Sequence, residues 1–181
     1  SLASQLKEQG YDTLAFHPYK AHGWNRDTVY PLIGFDNFLD ETSMNPNGEK
    51  FRGWYSDAED YNKIIDIFNK KKAGQPLFLF NVTIQNHGGY LIADKNFKEE
   101  IKIKDEKATD TANRYLSLIH ESDRAFEKII NYFKNQKEPT IVVMFGDHQP
   151  KLPDSFYELL YGKSLNSLSL KELQKKYTVP F

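Results

Sequence analysis

The sequence contains no cysteine. That excludes disulfides and thiolate metal sites, and it leaves the redox compartment open. Neither sign of charge is in excess: 24 Lys and Arg against 25 Asp and Glu give a formal net charge of -1. No basic surface therefore calls for nucleic acid or an anionic membrane. No apolar run is long enough to span a bilayer, and no signal-peptide pattern is visible. A Gly-rich phosphate loop and a serine nucleophile elbow are missing. So is a carboxylate pair placed for glycoside hydrolysis. Internal repeats and low-complexity segments are absent as well.

At 181 residues the chain is long enough for one domain with a sizeable core. Ser1 is not a methionine, and a helix over Leu2 to Gln9 starts at once, with Gly10 beyond its end. Tyr177 to Phe181 reads as the start of a strand. We read the chain as an internal piece of a longer protein.

Between these ends, apolar strands alternate with amphipathic helices. Strands are expected at Asp12 to Phe16, Phe35 to Leu39 and Pro76 to Ile84. Asn25 is expected to cap a short helix through Tyr30, closed by Pro31. Glu41 to Tyr55 reads as an exposed loop with its turn at Asn45 to Gly48. Ser56 and Glu59 form a capping box for a helix to about Lys72, whose Lys70-Lys71-Lys72 run reads as a solvated helix end. Lys95 to Lys107 reads as a charged surface loop or ribbon. The longest helix spans Ala108 to Asn135 with an apolar stripe, and His120 lies off that stripe. Two short helices follow, at Ser155 to Tyr161 and Leu170 to Lys175. The alternation predicts an α/β fold with a mostly parallel sheet flanked by helices.

The most informative stretch is Thr140 to Pro150. Thr140 to Phe145 is a continuous apolar run, as expected of a strand buried on both faces of a parallel sheet. Gly146 ends it, and Asp147 and His148 follow at once. In an open parallel sheet, ligands bind beyond the carboxyl ends of the strands. One carboxylate and one imidazole at that point suit a divalent ion such as zinc or manganese. Taken alone, the dipeptide reads more simply as a cap on a strand end. Position widens the argument, because His17 follows the first apolar strand, His87 the second, and His148 the third. Parallel strands would place all three ends on one edge.

Trp24 and Arg26 lie in the loop after His17. Arg supplies a planar fork of donors for phosphate, sulfate or carboxylate. Trp offers an apolar wall for a polyol chain. Core packing for Trp24 and an ion pair with Asp27 for Arg26 stand as the plainer alternatives. Asn86, Gly88 and Gly89 suit a turn that lets a ligand approach the backbone. His22, Tyr19 and Gln149 are weaker candidates.

Three motifs in order carry a family resemblance: His17 through Trp24-Asn25-Arg26, Asn81 through His87-Gly88, and Phe145-Gly146-Asp147-His148-Gln149-Pro150. With Gly34 to Phe38 and Glu121 to Phe126, they cover nearly the whole chain. The chain resembles the sulfatase-like extracellular domain of lipoteichoic acid synthases, phosphoglycerol transferases of the alkaline phosphatase superfamily.

The resemblance implies that residues 1–181 are the C-terminal portion of such a catalytic domain, cut at both ends. It implies that Asp147 and His148 bind a catalytic divalent metal, manganese above all, with magnesium or zinc as alternatives. His17, Trp24, Arg26 and His87 match positions that hold the glycerol-phosphate group. Tyr19 departs from the family, where an Asp can stand. The nucleophilic threonine and a glutamate ligand of the metal are expected before Ser1, so this piece is expected to be inactive alone. The implied reaction passes phosphoglycerol from a lipid-linked donor, through that threonine, to a cell-envelope polymer or glycan acceptor. The implied setting is the cell membrane, reached through an N-terminal region, with this domain extracellular. Rival readings are a sulfatase or phosphodiesterase that transfers to water, and a non-catalytic glycerol-phosphate-binding domain.

Overall fold

The computed structural model describes residues 1–91, 93–106 and 108–179. The chain divides into two compact units, Ser1–Gln85 and Asn86–Phe181.

The first unit runs α1 (Leu2–Glu8), β1 (Asp12–Phe16), α2 (Arg26–Leu32), β2 (Asn37–Leu39), β3 (Lys50–Phe51), β4 (Trp54–Tyr55), α3 (Asp57–Lys70) and β5 (Leu77–Asn81). Its main sheet has the order β2-β1-β5, and both pairings are parallel. This is the parallel sheet with flanking helices that the alternation predicts.

Register explains the packing. Partners in a ladder share a face, so Ala15 lies between Phe38 and Phe80, and Thr13 lies beside Phe78. Ala15 is fully buried. Its small side chain leaves room above the sheet for Tyr30 of α2, whose ring centroid is 4.9 Å from that of Phe38 and 6.2 Å from that of Phe80. Phe35 stacks on Phe78 at 5.7 Å, and Ala3 of α1 completes the cluster. Gly34 makes this approach feasible. Its φ is +101°, and a Cβ there would lie 2.2 Å from Ser4 Oγ and 3.1 Å from Ser4 N.

The segment expected to be one exposed loop, Glu41 to Tyr55, holds the antiparallel pair β3–β4 and buries Met44, Phe51 and Tyr55. Arg52 (φ 55°) and Gly53 (φ 84°) turn it. Two successive left-handed residues match the twist of a hairpin, but Arg in the first position gives no turn signal. Pro31 does not close α2 at Tyr30; the helix carries it and ends at Leu32.

The second unit contains α4 (Asp110–Lys134), α5 (Asp154–Tyr161) and α6 (Leu170–Lys175). Thr109 caps α4, its side chain accepting from Ala112 N. The buried face of α4 is partly polar. Ile101 N donates to Ser117 Oγ (2.9 Å), Ile103 N to Asn113 Oδ1 (2.9 Å), and Arg114 Nε to Glu99 Oε1 (2.7 Å). The charge-rich stretch before α4 is irregular, as expected, yet it is tied to the helix through these side chains.

The Thr140 to Phe145 expectation needs correction. The segment is irregular, with Ile141 90% and Val143 61% exposed. Among the described residues it joins no ladder. Composition marks an apolar run but does not supply the neighbouring backbone that satisfies a strand's N–H and C=O groups. Tyr177 to Val179 form no strand either, and the rest of that expectation, Pro180 and Phe181, lies outside the described residues.

Ala15→Leu should force Phe38, Phe80 and Tyr30 apart and destabilise the protein by about 1–3 kcal/mol. Urea unfolding checks it: the midpoint should fall with little change in slope.

Candidate functional site

The C-terminal end of β1 is built around His17. Phe16 pairs with Asn81 as the last step of the β1–β5 ladder, and Val82 N donates to Phe16 O over 3.0 Å. His17 N donates across the other edge to Leu39 O (3.0 Å). The residue is 1% exposed. Its ring reaches β5's extension, with Nδ1 2.6 Å from Val82 O. A carbonyl only accepts, so Nδ1 carries a proton, and Nε2 is the ring nitrogen that Val82 does not engage.

Past His17 the chain turns back on itself. Tyr19 N donates to His17 O (2.7 Å), and Glu41 N to Tyr19 O (3.2 Å). Trp24 (φ 56°) and Asn25 (φ 54°) are consecutive left-handed residues, neither of them glycine. Such backbone persists only where its surroundings impose it. It leaves Trp24 61% exposed, which removes core packing as its explanation. The guanidinium of Arg26 lies 4.5 Å from the Trp24 ring centroid, and its Nη1 donates to Gly23 O (3.4 Å). Asp27 accepts from Thr28 N instead of pairing with Arg26. Asn25 precedes α2 as expected but makes no side-chain cap bond, because its left-handed backbone is not that of an N-cap. The rings of His17, Tyr19 and Trp24 lie with their centroids 6.0 to 6.5 Å apart, His17 edge-on to the other two and Tyr19 tilted against Trp24. A cation and an aromatic wall thus flank a buried imidazole held in place through its Nδ1, which is chemistry for an anionic group carrying a carbon chain. His22 is exposed and adds nothing to the cluster.

In the second unit, His87 is exposed on the turn that follows Asn86, whose Nδ2 donates to Ser122 Oγ (2.7 Å). Asp147 and His148 are adjacent and open, with side chains 77% and 75% exposed. Asp147 Oδ2 lies 3.5 Å from His148 Nε2, and His148 Nδ1 lies 2.9 Å from Gln149 O. That carbonyl accepts from Nδ1 and leaves Nε2 as the ring nitrogen on the carboxylate side. Gln149 itself donates to Thr178 O. Of the expected strand ends, β1 and β5 do finish on one edge of one sheet; the segment before Asp147 is not in that sheet.

Sequence reasoning missed the polar residues buried behind His17. Asp57 and Asp60 stand in the first turn of α3, where an exposed acid would be ordinary. They are buried together with Tyr61 and Ile64. The signal was there: 57, 60, 61 and 64 recur at helical spacing, so the acids share the apolar face. Only half of the capping box forms, with Glu59 N donating to Ser56 Oγ (3.2 Å).

The sulfatase family model matches residues 1–181. A Rhizobium meliloti protein provisionally named for cyclic beta-1,2-glucan modification is 33% identical over 92% of this chain. The lipoteichoic acid synthase of Staphylococcus saprophyticus is 25% identical over 93% of it. The chain spans only about a quarter of each, 26% in both cases. The crystal structure of the lipoteichoic acid synthase LtaP from Listeria monocytogenes superposes with a TM-score of 0.79 at 25% identity, over 98% of this chain and 44% of that one. The Streptococcus pyogenes phosphoglycerol transferase GacH, solved with sn-glycerol-1-phosphate, gives 0.57 at 26% identity over 86% of this chain and 42% of its own. Matched by one family model from end to end, and superposing on a lipoteichoic acid synthase over almost its whole length, the chain belongs to the sulfatase family and has the alkaline phosphatase-like α/β fold.

Proposed function

We propose that these residues form the C-terminal portion of the catalytic domain of a membrane-attached, extracellular phosphoglycerol transferase. Its donor is a lipid-linked glycerol phosphate, and its acceptor is a cell-envelope polymer or glycan. The observation that carries this reading is the end of β1, where His17, Trp24 and Arg26 meet. Kinship with lipoteichoic acid synthases and with GacH supports it.

In this reading the Arg26 fork and the Nε2–H of a doubly protonated His17 hold phosphoryl oxygens, while Trp24 receives the glycerol carbons. Arg26 neutralises charge that builds on those oxygens in the transition state. The Val82 carbonyl engages Nδ1, which fixes the ring and leaves Nε2 for that task. His87 is assigned to substrate binding as well. Asp147 and His148 are assigned to a divalent metal, and their donor set fits: one carboxylate and one imidazole whose other nitrogen is already engaged. Among the described residues, no third His, Cys, Asp or Glu joins them. When bound, manganese or a similar ion supplies Lewis-acid polarisation of a phosphoryl oxygen.

Two measurements on the full-length protein test the reading. With phosphatidylglycerol vesicles and manganese, diacylglycerol should be released, and Arg26→Ala should slow release by roughly 10- to 150-fold through loss of a charge-assisted contact. Wild-type rates in Arg26→Ala would remove it from the site, and release of free glycerol phosphate without any acceptor product would make the enzyme a hydrolase. Asp147→Asn keeps shape but removes an ionic ligand. Metal analysis should find it depleted relative to the wild type, with the circular dichroism spectrum retained. Equal occupancy in both would strike Asp147 from the ligand set.

A further inference from the structure

Helix α3 and strand β5 meet in a pair of side chains that the reading above does not use. Asp60 is 1% exposed, and Asn81 Nδ2 donates to its Oδ2 over 3.1 Å. The other oxygen of each side chain, Asp60 Oδ1 and Asn81 Oδ1, is also buried and has no hydrogen-bond partner among the described residues. An ionised carboxylate and an amide oxygen both only accept, so neither can satisfy the other. A carboxylic acid has the missing donor. Its O–H can bond the amide C=O while the amide N–H bonds the acid C=O, which closes a ring of two opposed hydrogen bonds. The orphaned atoms are the two that this second bond would join.

The surroundings favour the neutral form. Burial raises the Asp60 carboxyl well above its ordinary range; the Asn81 bond opposes this, and the nearby Asp57 carboxylate adds to it. The ionisable groups facing Asp60 on α3 are Asp57 and Tyr61, and burial raises the Tyr61 phenol too. From β5 and its extension come only neutral amides, Asn81 and Gln85. The cation behind this helix end, Arg52, donates its Nη2 to Gln85 O (2.6 Å).

We propose that Asp60 is a carboxylic acid in the folded protein at neutral pH, that it closes a cyclic acid–amide pair with Asn81, and that this pair positions His17. Asn81 is the last residue of β5, and the next residue, Val82, supplies the carbonyl that holds His17 Nδ1. Gln85 is fastened to the same helix end, its Oε1 accepting from Asp57 N (2.9 Å). The extension is therefore tied to α3 on both sides of Val82. Asp60→Asn preserves a neutral ring of the same shape as an amide–amide pair. Asp60→Ala abolishes it. The protonation state stands by itself; only the positioning role rests on His17 being a substrate-binding group.

The test uses wild type, Asp60→Asn and Asp60→Ala of the full-length protein. Infrared difference spectra at neutral pH should show a protonated-carboxyl band in the wild type that Asp60→Asn lacks. A carboxylate difference alone would overturn the proposal and leave buried water as the partner of the orphaned oxygens. Thermal unfolding supplies the linkage. The unfolded carboxyl ionises above about pH 4, whereas the folded one keeps its proton, so wild-type stability should fall relative to Asp60→Asn as pH rises from there. Parallel curves would also overturn the assignment.

For positioning, the His17 imidazole NMR signals should match wild type in Asp60→Asn and shift in Asp60→Ala, with activity down about tenfold only in the latter. Unshifted signals in Asp60→Ala would end the positioning role. Should that variant fail to fold, alkaline titration replaces it: His17 signals should move in the wild type as Asp60 ionises and stay put in Asp60→Asn. If no phosphoglycerol transfer is found at all, the infrared and NMR results still decide.

Discussion

Strand β1 is hydrogen-bonded along both edges, and everything that surrounds the His17 cluster depends on this. A strand with a parallel neighbour on each side has its direction, register and end fixed by its neighbours. Its last residue, Phe16, is held level with Leu39 on one side and Asn81 on the other. His17 therefore leaves the sheet at a defined point with a carbonyl, that of Val82, within reach of its ring. The aromatic cluster beneath serves the same end. Ala15 between Phe38 and Phe80 lets α2 sit close to the sheet, and α2 starts at Arg26. Packing of the core and placement of the guanidinium are consequences of one alternation of small and large residues.

Much of this was legible in the residues. β1, α3, α4 and α6 fall within a residue or two of their expected spans, because each has strong periodicity and a clear start or stop signal. His17, Trp24 and Arg26 were recognisable as polar or aromatic residues in a loop after an apolar strand. Their mutual geometry was not, since it rests on two left-handed backbone positions at Trp24 and Asn25, which no propensity favours. The hairpin at Arg52-Gly53 was hidden for the same reason. Asp57 and Asp60 drew no notice, because a charged residue near a helix start has a ready explanation in the helix dipole. Their spacing relative to Tyr61 and Ile64 pointed inward instead.

The Thr140 to Phe145 run marks the other boundary of such reasoning. Hydrophobicity states how a segment relates to water, not which backbone it joins. Asp147 and His148 nevertheless make a compact donor pair without a regular strand beneath them. The pairing depends on contacts within three consecutive residues, the His148 ring with its Asp147 neighbour on one side and the Gln149 carbonyl on the other. Local chemistry of this kind survives where long-range topology does not follow from the pattern.

The left-handed pair at Trp24 and Asn25 couples two properties usually assigned to different residues. A non-glycine residue in that region costs on the order of 1–3 kcal/mol when the fold enforces it, and here one such residue is also the exposed ring beneath Arg26. Glycine at position 24 would relax the backbone and erase the aromatic wall in the same step. A more relaxed loop and the Trp24–Arg26 contact are thus opposed at a single position.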